Sequence, residues 1–373
     1  MFRVKMPLVF ILSAGTVTGV AGQNYEAYYL YLGNNPSDLE ADWTDEAQGL
    51  AHDDTHWYIS QRGFLWRVPV DVGLNAVSIS TPGVIRRSLS SVPKLTAEGY
   101  DHFGDISVHR FGQTDYLLVP IEGGAAGLAV YVADSLTYID HAAWPQQIQT
   151  HSSWVGVDEV GNVYGSNYDP VQEVYRYTIN WLQLLQSGTL SIQYAETITL
   201  RLEDGVGVAT LRHVQGGEFT ADGGLLYLVA DGIHVFDTFD WLRVQQSTNG
   251  SGHFDYEFHT GIGQEPEGIT IWEFGDAPEL LVRGQLHVLL LDNDIDSDNI
   301  YLKHYTRTIR VDGSNAGSQN GTPEHPFRTV REAMNLAWDE SEIRIRAHDY
   351  DEMMTISKRV RLTAEGGTVR IGG

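Results

Sequence analysis

The residues QGGEFTADGGLLYLVADGIHVFD, 215–237, contain the pattern on which the fold prediction rests. A polar cluster with two glycines is followed by segments in which apolar and polar residues alternate, around Tyr227 and around Ile233. A period of two is typical of half-buried β-strands, and Asp222-Gly223-Gly224 is typical of a tight turn. The stretch therefore predicts antiparallel strands joined by short turns.

The same order of polar cluster, strand, turn and further strands occurs five times along the chain. The other four units span residues 47–70, 103–133, 152–179 and 265–292. Aligning Gln48, Gly104, Ser153, Gln215 and Glu267 gives steps of 56, 49, 62 and 52 residues. Such units could stack in a line, but antiparallel units of this length normally close into a ring. We therefore predict an all-β fold, a five-bladed β-propeller over residues 23–308.

The tyrosine-rich residues Tyr25 to Leu32 lie outside the five units. We predict that they add a strand to the last blade, whose own outer strand would be Ile300 to Tyr305. This pairing would tie the two ends of the ring together.

Residues 1–22 have the features of a secretory signal peptide. Arg3 and Lys5 precede an apolar stretch from Met6 to Val20, and the small residues Ala21 and Gly22 follow. The apolar stretch is shorter than the roughly 20 residues of a membrane span, so an uncleaved anchor is only the alternative. We predict a secreted protein, extracellular, periplasmic or on the cell surface. The chain has no Cys, which excludes disulfides and thiolate chemistry.

The composition is that of a folded, strongly acidic protein. Hydrophobic residues make up 42% of the chain, which also has 9 Trp and 19 Tyr, whereas a disordered chain would lack such residues. The formal net charge is −25. This charge repels nucleic-acid phosphates and anionic lipids, so neither is expected as a partner. Nothing in the sequence indicates the oligomeric state.

The pattern changes from Ile309 onward. A turn-rich linker, Gly313 to Gly321, precedes a segment with apolar residues at helical spacing, and short strand-like segments follow. Residues 309–373 resemble the opening turns of right-handed parallel β-helix proteins of the pectin-lyase-like kind. The matching positions are Pro326-Phe327, Thr329-Val330, Ile343 to Ile345, Tyr350, Ile356-Ser357-Lys358 and Gly366 to Val369. The resemblance implies a short β-helix-like module with a capping helix, without lyase activity, because that fold carries its catalytic residues on later turns.

Two positions before each aligned residue, the sequence has a histidine or a glutamate. These five residues are Glu46, His102, His151, His213 and Glu265. Side chains two apart on a strand face the same way, so in a symmetric propeller these five would converge at one mouth of the central channel. Imidazole and carboxylate together favour Zn, Mn or Fe over Ca. We predict a divalent metal at this ring, with simple hydration of the channel as the alternative.

The ligand-binding candidates are the polar residues of the same clusters: Gln48, Asp105, Ser153, Gln215, Glu218 and Glu267. We expect Asp105 and Glu218 to orient a metal-bound histidine by accepting a hydrogen bond from its other ring nitrogen. Aromatic side chains also suit the stacking of sugar rings, and Trp144 and Trp241 are the tryptophans expected at the surface.

The tripeptide Glu267-Gly268-Ile269, in the last of five blades, resembles the calcium-activated nucleotidases, or apyrases. The resemblance implies a calcium held by Glu267 and Ser153, with Gln48 beside them, and hydrolysis of a nucleoside diphosphate by a metal-held water. The histidine-rich ring departs from the pattern of that family.

Residues Asp292 to Asp298 carry carboxylates at alternate positions and resemble half of an EF-hand loop, which suggests a structural Ca²⁺. Ser297 stands where that loop needs Gly, and Lys303 stands where it needs Glu. A solvated acidic turn is the alternative.

Three functions remain open from the sequence. The first is a secreted binding protein that holds a metal or a small polar ligand, such as a glycan, at the channel mouth, with the C-terminal module as a spacer. The second is a metal-dependent extracellular hydrolase of phosphoesters, lactones or glycosides that uses the same ring. The third is a structural cell-surface adhesion module. Whether the protein is an enzyme stays undecided at this point.

Overall fold

The computed structural model describes residues 28–248, 263–272, 285–293, 298–317, 319, 321, 326–337 and 341–372. The predicted signal peptide therefore lies outside the described residues. The described chain forms five antiparallel sheets in succession, followed by parallel strands at its C-terminal end.

The first strand is β1 (Tyr28–Asn34), and the first four sheets follow it as blades 1 to 4. Blade 1 contains β2 (Ala47–His52), β3 (His56–Gln61), β4 (Phe64–Pro69) and β5 (Ile85–Ser88). Blade 2 contains β6 (His102–Phe103), β7 (Ser107–Phe111), β8 (Thr114–Glu122), β9 (Gly127–Val132) and β10 (Thr137–Ala143). Blade 3 contains β11 (Gly156–Val157), β12 (Asn162–Gly165), β13 (Glu173–Ile179) and β14 (Ile192–Thr199). Blade 4 contains β15 (Gly216–Phe219), β16 (Leu225–Val229), β17 (Gly232–Asp237) and β18 (Arg243–Thr248).

Blade 5 combines both ends of the propeller. It contains β19 (Gln264–Ile271), β20 (Leu286–Asn293) and β21 (Asp298–Val311), and β1 pairs antiparallel with β21. The register runs from Tyr28 opposite Thr308 to Asn34 opposite Lys303. The N-terminal segment thus supplies the strand that the sequence predicts for the last blade.

Five buried apolar clusters, counted over the described residues, each join two neighbouring blades. The cluster between blades 5 and 1, for example, packs Leu50 and Trp66 against Leu289 and Leu302. A linear stack of five sheets has one interface fewer than a ring of five. The predicted five-bladed β-propeller is therefore confirmed.

A half-buried carboxylate fixes the turn after the innermost strand in two of the blades. In blade 1, the Tyr58 hydroxyl donates to Asp53 Oδ2 at 2.6 Å, and the backbone N–H groups of Thr55 and His56 donate to Oδ1. In blade 3, the Tyr164 hydroxyl donates to Asp158 Oδ2 at 3.1 Å. Although burial opposes it, the hydrogen bonds to Asp53 hold the pKa of its carboxyl below the usual range.

We expect Tyr58→Phe to lower the free energy of unfolding by about 1.5 to 3 kcal/mol, because it removes a hydrogen bond to an ionised, partly buried group. Urea unfolding measures this change. Tyr194→Phe is the control, since Tyr194 is exposed and bonds only Thr197 in the described structure. An equal effect of both substitutions would contradict this role of the Asp53 turn.

Helices are few and short in the described chain. Helix α1 (Pro93–Ala97) connects blades 1 and 2, α2 (Trp181–Ser187) lies between two strands of blade 3, and α3 (Val330–Leu336) follows the propeller. None of the described helices has the length and apolar character needed to cross a membrane.

The C-terminal strands pair in parallel. Strand β21 continues past the predicted domain boundary at residue 309, and its last four residues pair with β22 (Glu342–Arg346). Strand β24 (Arg361–Glu365) pairs with β22, and β23 (Asp349–Tyr350) pairs with β25 (Arg370–Ile371). Helix α3, which begins with a capping box between Thr329 and Glu332, covers the apolar side of these strands. The assignment to the β-helix family stays a prediction.

Candidate functional site

Asp105 lies on the axis of the propeller, because it contacts all four other blades. Its Oδ1 accepts a hydrogen bond from the backbone N–H of Leu50 and its Oδ2 from that of Gly217, both at 3.0 Å. The N–H of Ile269 also donates to this carboxyl. The backbone N–H of Asp105 itself donates to Ser153 O at 2.8 Å. The carboxyl is fully buried, and burial raises its pKa well above the ordinary value.

Glycines allow the innermost strands to meet at the level of Asp105. A Cβ on Gly49 would lie 2.4 Å from the Asp105 Cα, and a Cβ on Gly268 would lie 2.7 Å from the Gly49 Cα. A Cβ on Gly216 would lie 2.9 Å from the Glu267 carbonyl oxygen. No side chain fits in such spaces, so backbone and the Asp105 carboxyl close the axis at this level.

Along each inner strand, the residues that come before the level of Asp105 in the sequence lie toward one mouth of the propeller. Asp105 pairs in parallel with Trp154, so the inner strands of blades 2 and 3 run in the same direction. At this mouth, His102 Nε2 donates to Gln48 Oε1 at 2.8 Å, which joins blades 2 and 1. Burial lowers the pKa of His102, although nearby Glu122 opposes the change. The imidazole is therefore neutral at pH 7.

A pair of glutamates lies on the blade 5 side of the mouth. Glu267 is only 2% exposed, and its carboxyl is hydrogen-bonded by the side chains of Gln215 and Glu265. Burial, and then the charge of Glu265, raise the pKa of Glu267 well above its ordinary value. The raised pKa keeps a proton on Glu267, so this pair offers both a donor and acceptors.

Tyr168 adds an aromatic ring that the sequence analysis did not identify. Its ring centroid lies 5.3 Å from that of His213 and 6.4 Å from that of His151. Burial, followed by the charges of Glu265 and Glu267, raises the pKa of Tyr168 to about 12. Tyr168 follows strand β12 rather than lying on an innermost strand, so no strand periodicity points to it.

The five predicted metal ligands surround this mouth without meeting as one cluster. Glu46 is exposed and pairs with Arg62 at 3.3 Å, while His151 and His213 are exposed beside Tyr168. Glu46 and His213 have φ angles of 48° and 54°, so the alternation of side chains is broken before β2 and β15 begin. In the part of the chain that the structure describes, no three His, Asp or Glu side chains form a group that could hold a metal. The metal site stays a prediction.

Within the described residues, neither Asp105 nor Glu218 makes a hydrogen bond to a histidine, and their predicted role in orienting one stays a prediction. Both Asp105 oxygens accept hydrogen bonds from backbone N–H groups of other blades. Glu218 follows Gly217 along β15, whereas Gln215 precedes it, so Glu218 lies beyond the Asp105 level. Burial raises the pKa of Glu218 to about 8. Ser153 is half-buried in the segment that passes Asp105.

Two other expectations have different outcomes. Trp144 was expected at the surface but is 1% exposed, and its indole N–H donates to Ser152 Oγ, so this prediction is wrong. Of the predicted calcium loop, residues 294–297 lie outside the described residues. At its ends, Asp292 accepts a hydrogen bond from the Gln264 side chain, and Asp298 accepts one from the Glu46 backbone N–H.

No known family model matches the chain, and no curated protein is similar to it in sequence. Among solved structures, it is similar to a thermostable family-43 glycoside hydrolase at 14% identity and a TM-score of 0.41, over 74% of this chain and 92% of that one. It is also similar to the Dos1 propeller at 12% identity and a TM-score of 0.34, over 74% and 67%. The β-propeller domain of Myceliophteria thermophila Cps50 (Swd1) matches at 13% identity and a TM-score of 0.34, over 67% and 66%.

Proposed function

We propose that this propeller is an exported binding protein, and that the mouth bounded by Gln48, His102, Tyr168, Gln215 and Glu267 holds a small, hydroxyl-rich ligand of the carbohydrate type. The observation that carries the proposal is the contact of the buried Glu267 with Gln215 and with the half-buried Glu265. A half-buried group of carboxyl, amide and imidazole side chains beside an aromatic ring presents donors and acceptors at several angles, which is what sugar hydroxyls require.

The charge of the mouth narrows the class of ligand. Glu122, Asp169, Glu265 and Glu267 all lie close enough to Tyr168 to raise its pKa. Although Glu267 keeps a proton, the negative charges of the other three would repel an anionic ligand, and this disfavours the nucleoside diphosphates that the nucleotidase resemblance implies. These charges do not oppose the binding of a neutral polyol.

The hydrolase alternative has less support from the geometry. Glycosidases place their two catalytic carboxyls roughly 5 to 9.5 Å apart, so that a sugar or a water fits between them. Glu265 and Glu267 instead contact each other directly. Binding without turnover is therefore the function that we propose.

Binding can be tested with a glycan array, followed by calorimetric titration of the best ligand into the full chain. We expect Glu265→Gln and Gln48→Ala each to weaken binding about tenfold, because each removes hydrogen-bonding capacity at a half-buried site. Glu40→Gln, at an exposed residue that does not belong to the mouth, is the control and should leave the affinity unchanged. A protein that binds no glycan, or variants that bind as tightly as the control, would contradict the proposal.

The predicted Zn, Mn or Fe at the same mouth is tested by a separate measurement. The exported protein is dialysed without chelator and its metal content is determined. A stoichiometric metal that is lost in His102→Ala would support the prediction, whereas trace amounts would exclude it.

We further propose that the C-terminal parallel strands are a β-helix-like spacer that carries the propeller away from its attachment point.

A further inference from the structure

A cleft of about 330 Å³ opens between blades 1 and 2, on the outer rim and away from the mouth. Blade 1 and the following turn contribute Arg87 and the segment from Ser91 to Pro93, and blade 2 contributes Tyr131 and the segment from Leu136 to Tyr138. This volume is at the lower end of the range for small-molecule sites. The lining combines two phenol rings, an aliphatic floor and one guanidinium.

The position of Tyr138 in this cleft is fixed by a chain of hydrogen bonds. The Tyr138 hydroxyl lies 2.6 Å from His141 Nδ1, and His141 Nε2 lies 2.9 Å from Glu98 Oε2. The carboxylate accepts from Nε2, so Nδ1 accepts from the phenol. The Tyr138 ring also packs edge-on against Tyr131 at 5.5 Å. Tyr138 is therefore held in one position before any ligand enters, whereas a ligand reaches the buried Tyr131 hydroxyl only after a small shift of this wall.

The hydroxyl of Tyr131 is buried and has no hydrogen-bond partner among the described residues. An unsatisfied buried hydroxyl costs about 1 to 3 kcal/mol, so a partner that reaches it from the cleft would recover part of that cost. Burial also raises the pKa of Tyr131, so the group stays a neutral phenol that both donates and accepts.

Arg87 differs from the other propeller arginines. The guanidinium groups of six of them contact carboxylates: Arg62, Arg67, Arg110, Arg176, Arg212 and Arg243. Arg86 lies over the Phe64 and Trp66 rings, and Arg201 donates to the Gly205 carbonyl oxygen at 3.3 Å. The exposed Arg87 guanidinium has no ion pair or ring contact within the described structure, in a chain of net charge −25. A free guanidinium at the edge of an aromatic cleft suits a carboxylate, which it binds in a bidentate manner.

We propose that this cleft binds a small aromatic carboxylate. The carboxylate pairs with Arg87, the ring lies against Tyr138 and the apolar residues Val92 and Leu136, and a polar substituent on the ring bonds the Tyr131 hydroxyl. The proposal is independent of the mouth, since none of these residues belongs to it.

The test uses 4-hydroxybenzoate titrated into the full chain by calorimetry, with benzoate and methyl 4-hydroxybenzoate as matched probes. We expect benzoate, which lacks the hydroxyl, and the ester, which lacks the charge, each to bind about tenfold more weakly. Arg87→Gln should weaken 4-hydroxybenzoate to the level of the ester. Arg110→Gln, which removes an exposed, ion-paired arginine elsewhere, should not.

Tyr131→Phe separates ligand binding from a structural role. The variant should be at least as stable as the natural protein, because it removes an unsatisfied hydroxyl. It should also bind benzoate and 4-hydroxybenzoate with equal affinity. The ligand hydroxyl gains affinity only through the Tyr131 hydroxyl, which this variant lacks. Absence of saturable binding, equal affinity of the natural protein for the two acids, or full binding by Arg87→Gln would each overturn the proposal.

Discussion

Replacing Gly268 by alanine is expected to prevent the propeller from closing. The added Cβ would lie 2.7 Å from the Gly49 Cα, 2.8 Å from the Leu50 nitrogen and 2.9 Å from Asp105 Oδ1. Two of these atoms are backbone, so no side-chain rotation can relieve the contact. We expect a loss of more than about 3 kcal/mol, at or above the usual cost of overpacking and a large part of the stability of a domain. Circular dichroism and thermal unfolding measure the effect.

Gly49→Ala should behave in the same way, since its Cβ would lie 2.4 Å from the Asp105 Cα. Gly63→Ala is the matched control, because a Cβ there has no atom within 4 Å. The control should fold normally and be unchanged or slightly more stable, as the unfolded chain loses conformational freedom. If Gly268→Ala unfolded at the same temperature as the control, the close contact of the inner strands would be disproved.

The protein is expected to lose stability as the pH rises from about 4.5 to 8. In that window the Glu218 carboxyl is protonated in the folded protein and ionised in the unfolded chain, because burial raises its pKa from 4.5 to about 8. The folded state therefore binds more protons, and the free energy of unfolding falls as protons are removed, by an amount on the order of 5 kcal/mol. Urea unfolding at several pH values measures the slope.

The net charge of −25 contributes a slope of the same sign, since acidic groups repel one another more strongly at high pH. Asp105 and Glu267, whose pKa values burial also raises, add to the same slope, and Glu218→Gln isolates the contribution of Glu218. The variant keeps nearly all of the surface charge but cannot ionise at this position, so its stability should depend less on pH and exceed that of the natural protein above pH 8. Parallel pH curves for both proteins would show that Glu218 is not buried as described.

Several parts of the fold can be predicted from local patterns in the chain. Alternation of apolar residues predicts strands such as β16 and β17, and the repeated polar clusters predict which residues of different blades are equivalent. The alignment of Gln48 with its counterparts agrees with the contacts that His102 and Asp105 make across the axis. These features are local or periodic, so a single sequence is enough to find them.

The candidate site is less predictable. The position of Tyr168 in the mouth depends on how a loop after β12 folds over the end of the blade, and no periodicity records it. The burial of Trp144 depends on packing between blades 2 and 3, where it lies 4.5 Å from the Tyr177 ring. Residues far apart in the chain decide both outcomes.

The strand content, the number of blades and the acidic character follow from the amino-acid sequence alone, because each is a property of composition or of a short repeat. Which polar residues lie together at the mouth depends on the packing of distant blades. Glu46 and His213 adopt positive φ angles, so their side chains do not follow the alternation of faces that an extended strand would impose. Asp105 was a ligand-binding candidate at the mouth, but its carboxyl accepts hydrogen bonds from backbone N–H groups of other blades. The inner strands converge on the axis and bring these N–H groups to one buried point.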